Sequence, residues 1–214
     1  MTAPAHPEPP EDCRLCPRLA QFRDENRRTY PGFFNRPVPS FGDASGRLLI
    51  VGLAPGLKGA NRTGRPFTGD FAGELLYGTL AAFGLSEGTF AADPGDGLRL
   101  KDCLLTNAVR CVPPENKPTG PESKTCRAFL AARIGSLPNL KVIFALGRIA
   151  HESVLSAVGA PRAAHPFAHG AAHRLAGGVH LVDSYHCSRY NTNTGKLTPE
   201  MFRDAMAKAK GLMG

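Results

Sequence analysis

Four short apolar runs constrain this chain more than any other feature: RLLIVGLA (47–54), CLLTNAVR (103–110), KVIFALG (141–147) and VHLVDSYH (179–186). Each is continuous rather than alternating and rich in branched residues, the pattern of strands buried on both faces in a parallel sheet. Helix-like stretches separate them: FAGELLYGTLAAFGL, PESKTCRAFLAARIGSL and GRIAHESVLSAVG. A further amphipathic segment, TPEMFRDAMAKAKGLM, closes the chain, with Thr198 placed to cap it and Pro199 in its first turn. Strands alternating with helices predict an α/β protein, a three-layer α/β/α sandwich whose ligands bind at the carboxyl ends of the strands. A length of 214 residues with 42% hydrophobic content fits a single domain, 1–214. Within it, residues 1–45 are expected as an N-terminal extension and the Ala/Gly/His stretch around 163–178 as a mobile loop.

Six cysteines are present, and four of them form a pattern. Cys13 and Cys16 make a C-x-x-C, while Cys111 and Cys126 bracket CVPPENKPTGPESKTC. In a chain expected to be cytoplasmic, such thiols point to a metal or an iron–sulfur cluster rather than to two disulfides. Four thiolates suit tetrahedral zinc as well as a [4Fe–4S] cluster, so spacing leaves both open. The cytoplasmic expectation rests on MTAPAHPEPPEDC, which lacks a basic region followed by an apolar one, and on the lack of any run near the roughly 20 apolar residues of a membrane span. A formal charge of +8 and a pI near 9.4 favour a polyanionic partner such as nucleic acid. The basic residues are scattered, so a solvated basic surface fits the same numbers.

The loop after the first run, GLAPGLKGANRTGRPFTGD (52–70), holds five glycines and ends on an acid. It contains neither G-x-x-x-x-G-K-[ST] nor G-x-G-x-x-G, which argues against a nucleotide-phosphate cradle. Phe67 offers an aromatic face, Asp70 a carboxylate, and Asn107 and His186 hydrogen-bonding groups, all expected at one sheet edge. Together they can stack a planar base, read its edge and act on the bond beside it, which suits a flipped nucleobase. Each has a plainer reading too: Asp70 as the cap of the helix FAGELL, Asn107 as a turn residue, Phe67 as core, His186 as a satisfied structural histidine.

GLAPG (52–56) with its GANRTGRPFTGD continuation, TNAVRC (106–111) and HCSRYNTNTG (186–195) follow one another in an order that resembles the uracil-DNA glycosylase superfamily, specifically its family 5 (type B) enzymes. The resemblance runs from Cys13 to about Pro199. It implies an α/β/α fold with a central four-stranded parallel sheet, a [4Fe–4S] cluster on Cys13, Cys16, Cys111 and Cys126, and monofunctional removal of uracil from DNA in base excision repair. Other deaminated bases, hypoxanthine or xanthine, are implied as further substrates. The cluster would tie the N-terminal extension to the sheet, far from the chemistry, and leave Cys103 and Cys187 outside the ligand set.

Relatives carry an acid in the first motif where this chain has Leu53 and Ala54, so the resemblance assigns the sugar to Asp70, as a carboxylate stabilising a cation or orienting water. His186 is implied to donate a hydrogen bond to the leaving base, Asn107 to read its imide edge and Phe67 to stack on it. Backbone near Gly52, Leu53 and Ala54 is expected to approach the base closely. Cys187 stands where the family usually has proline, and is read as a small buried filler. Arg62, Arg65, Arg110, Arg189, Tyr190 and Lys196 are expected to contact DNA, with Arg189 or Tyr190 entering the gap left by the flipped nucleotide. No lysine stands at a position for Schiff-base chemistry, so strand cleavage is not expected. The protein is expected to act as a monomer; the competing expectation is a non-catalytic iron–sulfur binder of damaged DNA.

Overall fold

The computed structural model describes residues 6–214; residues 1–5 of the expected extension lie outside the described residues. The four apolar runs form β2 (Leu48–Gly52), β5 (Cys103–Asn107), β6 (Val142–Leu146) and β8 (His180–Ser184). They pair in parallel at the centre of one sheet. That sheet has six strands rather than the expected four. Two short antiparallel strands complete its edges, β1 (Phe41–Gly42) against β5 and β7 (Ala172–Arg174) against β8, giving the order β1-β5-β2-β6-β8-β7. The stretch expected as a mobile loop thus contains an edge strand. A separate hairpin pairs β3 (Ser86–Glu87) with β4 (Arg99–Leu100).

Alternation along the central strands sorts side chains onto two faces. Leu48, Ile50, Leu105, Val142, Phe144 and Val182 pack with helices α3 (Phe71–Ala82) and α7 (Pro199–Gly211). Leu49, Val51, Leu104, Ile143, Ala145 and Leu181 face α4 (Gly120–Gly135) and α5 (Arg148–Ala157). Leu48 to Val51 are fully buried, worth about 1.5–3 kcal/mol per side chain, so helices on both faces are what this sequence requires. The short helices are α2 (Ala60–Thr63) and α6 (Arg189–Asn193).

Helix starts follow local chemistry. Thr119 and Glu122 form a reciprocal capping box on α4, and Thr198 caps α7 with Pro199 in its first turn, as expected. The N-terminal extension contains a helix that sequence reading left out, α1 (Pro17–Thr29). It packs Leu19 against Val109, Cys111, Cys126 and Phe129 in a third, smaller core.

Candidate functional site

Parallel register sets Gly52, the last residue of β2, opposite Asn107, the last of β5. A Cβ on Gly52 would lie 2.4 Å from Asn107 Oδ1 and 2.5 Å from Phe67 Cζ, so the absence of a side chain lets the amide and the ring converge there. Asn107 is buried, yet its amide makes no hydrogen bond to another described residue and is not sealed from solvent. Phe67 is held with φ at 54°, a left-handed conformation that costs a non-glycine residue about 1–2 kcal/mol. The surroundings enforce it. The Tyr77 hydroxyl donates to Pro66 O at 2.6 Å, Arg65 Nε donates to Thr68 Oγ1 at 2.7 Å, and the carbonyl of Phe67 lies where a Cβ of Gly73 would be.

Asp70 is the N-cap of α3, one carboxylate oxygen accepting from the Gly73 N–H at 3.3 Å. The plainer reading of Asp70 is therefore realised, but it uses only one oxygen. The other faces Gly56 and Gly59, where added Cβ atoms would stand 3.7 and 2.6 Å away. Burial raises the Asp70 carboxyl above its ordinary value, against the lowering effect of the Gly73 and Ala72 amides.

His186 follows β8. Its carbonyl accepts from Asn191 Nδ2 at 2.8 Å, Ser188 caps the short α6 behind it, and its Cβ lies over Gly147. Neither ring nitrogen has a protein partner among the described residues, and burial drives the imidazole down to about 4, so it is neutral at physiological pH. Its ring centroid is 6.4 Å from that of Phe67. Leu53, Ala54, Gly56, Asp70, His186 and Arg189 line one cleft of about 460 Å³. A second cleft of about 420 Å³ shares Leu53 and His186 with the first and runs toward Arg148, Phe167, Tyr185 and Lys196. Cys187 is fully buried in the core with its thiol pushed up to about 12, first by burial and then by Asp70, which makes it a filler and not a nucleophile.

The structure corrects two of the expected DNA contacts. Arg65 is buried beneath the loop, bidentate to Asp96 at 2.7 Å through both terminal nitrogens and enclosed by the rings of Phe41, Tyr77 and Phe90. Arg110 is 1% exposed and donates to Val38 O and Ser40 Oγ beside Glu8. Neither guanidinium can reach a phosphate; both brace loops. Arg62 is exposed and held to Lys58 O at 2.9 Å, outside the residues lining either cleft. Arg189 stands over the Phe71 ring at the cleft mouth, Tyr190 is 74% exposed beside it, and Lys196 lies over Tyr185. Sequence reading missed Asn116, which lines the cleft with a positive φ of 58°. Its only sequence signal was an asparagine two residues before a proline, which reads as a turn.

Cys13, Cys16, Cys111 and Cys126 are free thiols lining a single small cavity between α1, α4 and the loop after β5. Burial pushes Cys111 up to about 12 and Cys126 to about 11, and the neighbouring thiols add to both. Arg23 is 1% exposed, its Nη1 3.8 Å from Cys111 Sγ, while its Nε and Nη2 have no partner among the described residues. An orphaned guanidinium beside four thiols fits an anionic centre there. Among the described residues no three of these sulfurs lie mutually within 4.8 Å. The small core that holds these thiols reaches Ala54, which also lines the cleft. The backbone pairs that bring them together are Ala108 N–H to Gly52 O and Val109 N–H to Leu53 O, both 2.9 Å.

No helix among the described residues is long and apolar enough to cross a membrane. The family model of the uracil DNA glycosylase superfamily matches residues 39–210. The type-5 uracil-DNA glycosylase of Thermus thermophilus is 51% identical over 207 residues, 94% of each chain. The protein of that name from Mycobacterium bovis is 44% identical, covering 94% of this chain and 78% of its own, and that from Pyrobaculum aerophilum 38%, covering 92% and 88%. With the strand-end site, the open amide of Asn107 and the neutral His186 already in place, these matches show that the chain belongs to the uracil-DNA glycosylase superfamily.

Proposed function

We propose that this protein is a monofunctional uracil-DNA glycosylase of base excision repair that hydrolyses the N-glycosidic bond of uracil in DNA. The observation that carries the reading is that Asp70 and His186 line one cleft beside the Phe67 and Asn107 pair. A flipped uracil would stack on Phe67 and present its imide edge to the unpaired amide of Asn107. As the C1′–N1 bond breaks, its electron pair moves onto the base. The neutral imidazole of His186 then donates a hydrogen bond to the uracil oxygen where charge collects. The free oxygen of Asp70 faces the sugar, stabilises the developing cation and orients the water whose hydroxyl joins C1′, while that water's other proton ends on the departing uracil anion. Leu53 and Ala54 carry no proton-handling group, so that acid role falls to Asp70 alone. Phosphates are met by Arg62, Arg189 and Lys196, with Tyr190 placed to enter the vacated stack.

Cys13, Cys16, Cys111 and Cys126 would hold a [4Fe–4S] cluster. All four thiolates around tetrahedral zinc at 2.3 Å would stand about 3.8 Å apart, whereas no three of these sulfurs come mutually within 4.8 Å among the described residues, which supports the larger group. When bound, the cluster supplies a cross-link among α1, α4 and the strand-end loop, and hydrolysis draws no electron from it. Residues 1–45 belong by this reading to one domain spanning 1–214, acting as a monomer in the cytoplasm, where prokaryotic DNA lies. Hypoxanthine and xanthine are proposed as further substrates.

The test is excision from duplex oligonucleotides bearing a single uracil, hypoxanthine or xanthine, with alkali to reveal abasic sites. Alkali-dependent cleavage at uracil supports the reading. Binding without cleavage would turn it toward a damaged-DNA binder, and borohydride trapping of protein on DNA would overturn the monofunctional mechanism.

A further inference from the structure

Helix α3 grips one short span of chain, Pro66 to Asp70, at both ends. Asp70 is its N-cap, and two turns further along stands Tyr77, 1% exposed. Long helical side chains lean toward the N-terminus of their helix, and the Tyr77 hydroxyl reaches back to donate to Pro66 O at 2.6 Å. That carbonyl belongs to the peptide directly before Phe67. One helix therefore holds the chain on either side of the stacking ring and carries the carboxylate as well.

Arg65 to Thr68 form a buried turn, closed by the Thr68 N–H on Arg65 O at 3.3 Å. Proline at its second position and a φ of 54° at its third are the marks of a type II turn, where glycine is the usual third residue. Here a bulky aromatic residue occupies that place, and such strain persists only where the surroundings over-determine it. Besides Tyr77, the Thr68 hydroxyl donates to Pro66 O at 3.3 Å, and Thr68 Oγ1 accepts from Arg65 Nε. Asp96 fixes Arg65 from the other side and accepts from the Ala91 and Leu98 N–H groups, which ties down the 88–98 loop. From that loop Phe90 stacks on Tyr77, ring centroids 4.4 Å apart.

Given the glycosylase reading, on which this rests, we propose that Tyr77 is a positioning residue for excision. By holding Pro66 O, its hydroxyl fixes the Phe67 ring relative to the Asp70 carboxylate, and so the base relative to the group that acts on its sugar. Without that bond the strain at Phe67 relaxes and the ring shifts, while Asp70 stays on the Gly73 N–H. A base displaced by a fraction of an ångström then loses its alignment with the groups that meet the glycosidic bond.

The experiment compares wild type with Tyr77→Phe, which keeps the ring and its stack on Phe90 and removes only the hydroxyl. Uracil excision is followed in single turnover. Affinity is measured for two duplexes, one bearing 2′-fluoro-2′-deoxyuridine, whose glycosidic bond the fluorine protects, and one bearing a tetrahydrofuran abasic site. The ratio of the two affinities reports the base in its pocket and cancels contacts to the DNA backbone. In Tyr77→Phe the ratio is expected to shift about tenfold against the base-bearing duplex, within the range for one base–aromatic stack, with abasic-site affinity unchanged and excision about tenfold slower. Melting checks that the variant is folded at the assay temperature; if it is not, Asp96→Asn, which loosens the turn from its other end, takes its place with the same expectation. Wild-type ratio and rate in the variant overturn this proposal alone, as do equal losses of affinity for both duplexes, the mark of general loosening. Uracil left intact by the wild type overturns the glycosylase reading and the proposal with it.

Discussion

Replacing Asp70 separates two jobs that one side chain performs. As an N-cap it satisfies the Gly73 N–H, and truncation to alanine at such a position costs about 1 kcal/mol. In a domain of this size that corresponds to a fall in Tm of about 2–4 °C. Asparagine caps as well as aspartate does, so Asp70→Asn keeps the cap and removes only the charge. Burial raises the Asp70 carboxyl, so the native state holds the proton more tightly than the unfolded chain. Stability therefore falls as pH rises through that window, and the ionised carboxylate opposes folding at neutral pH. The expectation is that Asp70→Asn melts at or above the wild-type temperature while excising uracil about 10²–10³-fold more slowly, the range for losing one preorganised electrostatic group. Single-turnover excision paired with thermal melting reads both quantities. Wild-type excision by Asp70→Asn, with slow excision only in the less stable Asp70→Ala, would refute the catalytic assignment and leave Asp70 as a cap.

Gly52→Ala places a methyl 2.4 Å from Asn107 Oδ1 and 2.5 Å from Phe67 Cζ; a loss of about 1–3 kcal/mol by denaturant melting, with excision abolished, is expected. Asp96→Ala strands the buried Arg65 guanidinium and is expected to cost about 3–5 kcal/mol, whereas Arg65 variants leave the salt dependence of DNA binding unchanged wherever they fold. Arg189→Ala is expected to lower the slope of log affinity against log salt by about 1, measured by fluorescence anisotropy on duplex DNA. Because burial holds His186 at about 4, the excision rate should rise with pH through the Asp70 window and then stay level to pH 8; a rate falling steadily above pH 5 would instead require an imidazolium. The same depressed value makes His186 stabilising above about pH 6.5, a contribution lost as pH falls toward 4.

The central strands were legible because burial on both faces leaves a continuous apolar run that no other element of that length produces. The edges were not. β1 is only two residues long, and β7 reads AHR, a polar triplet defined by its partner β8 and not by its own sequence. Helix α1 escaped for a related reason: its buried positions include Arg23 and Asn26, so no apolar stripe marks it. Site residues on strand ends could be grouped because parallel strands deliver their carboxyl ends to one edge. Arg65 and Arg110 were misjudged because a guanidinium's charge is visible in sequence while its burial depends on partners far along the chain, Asp96 and Glu8. The two readings of Asp70 compete in the sequence, and only three-dimensional placement shows that the cap takes one oxygen and leaves the other facing Gly56 and Gly59.

Ala54 touches two compartments at once, packing against the small core that holds the thiols and lining the cleft. The strand-end carbonyls just before it, those of Gly52 and Leu53, accept from the N–H groups of Ala108 and Val109, which follow β5 and lead to Cys111. Through Cys111, the four sulfurs thereby share a loop with the wall of the cleft. Oxidative damage to them would register as a misshapen site in a chain whose sheet is still folded, so repair capacity would fail earlier than the protein itself. A bulkier residue at this one position would grow into the cleft and fill it.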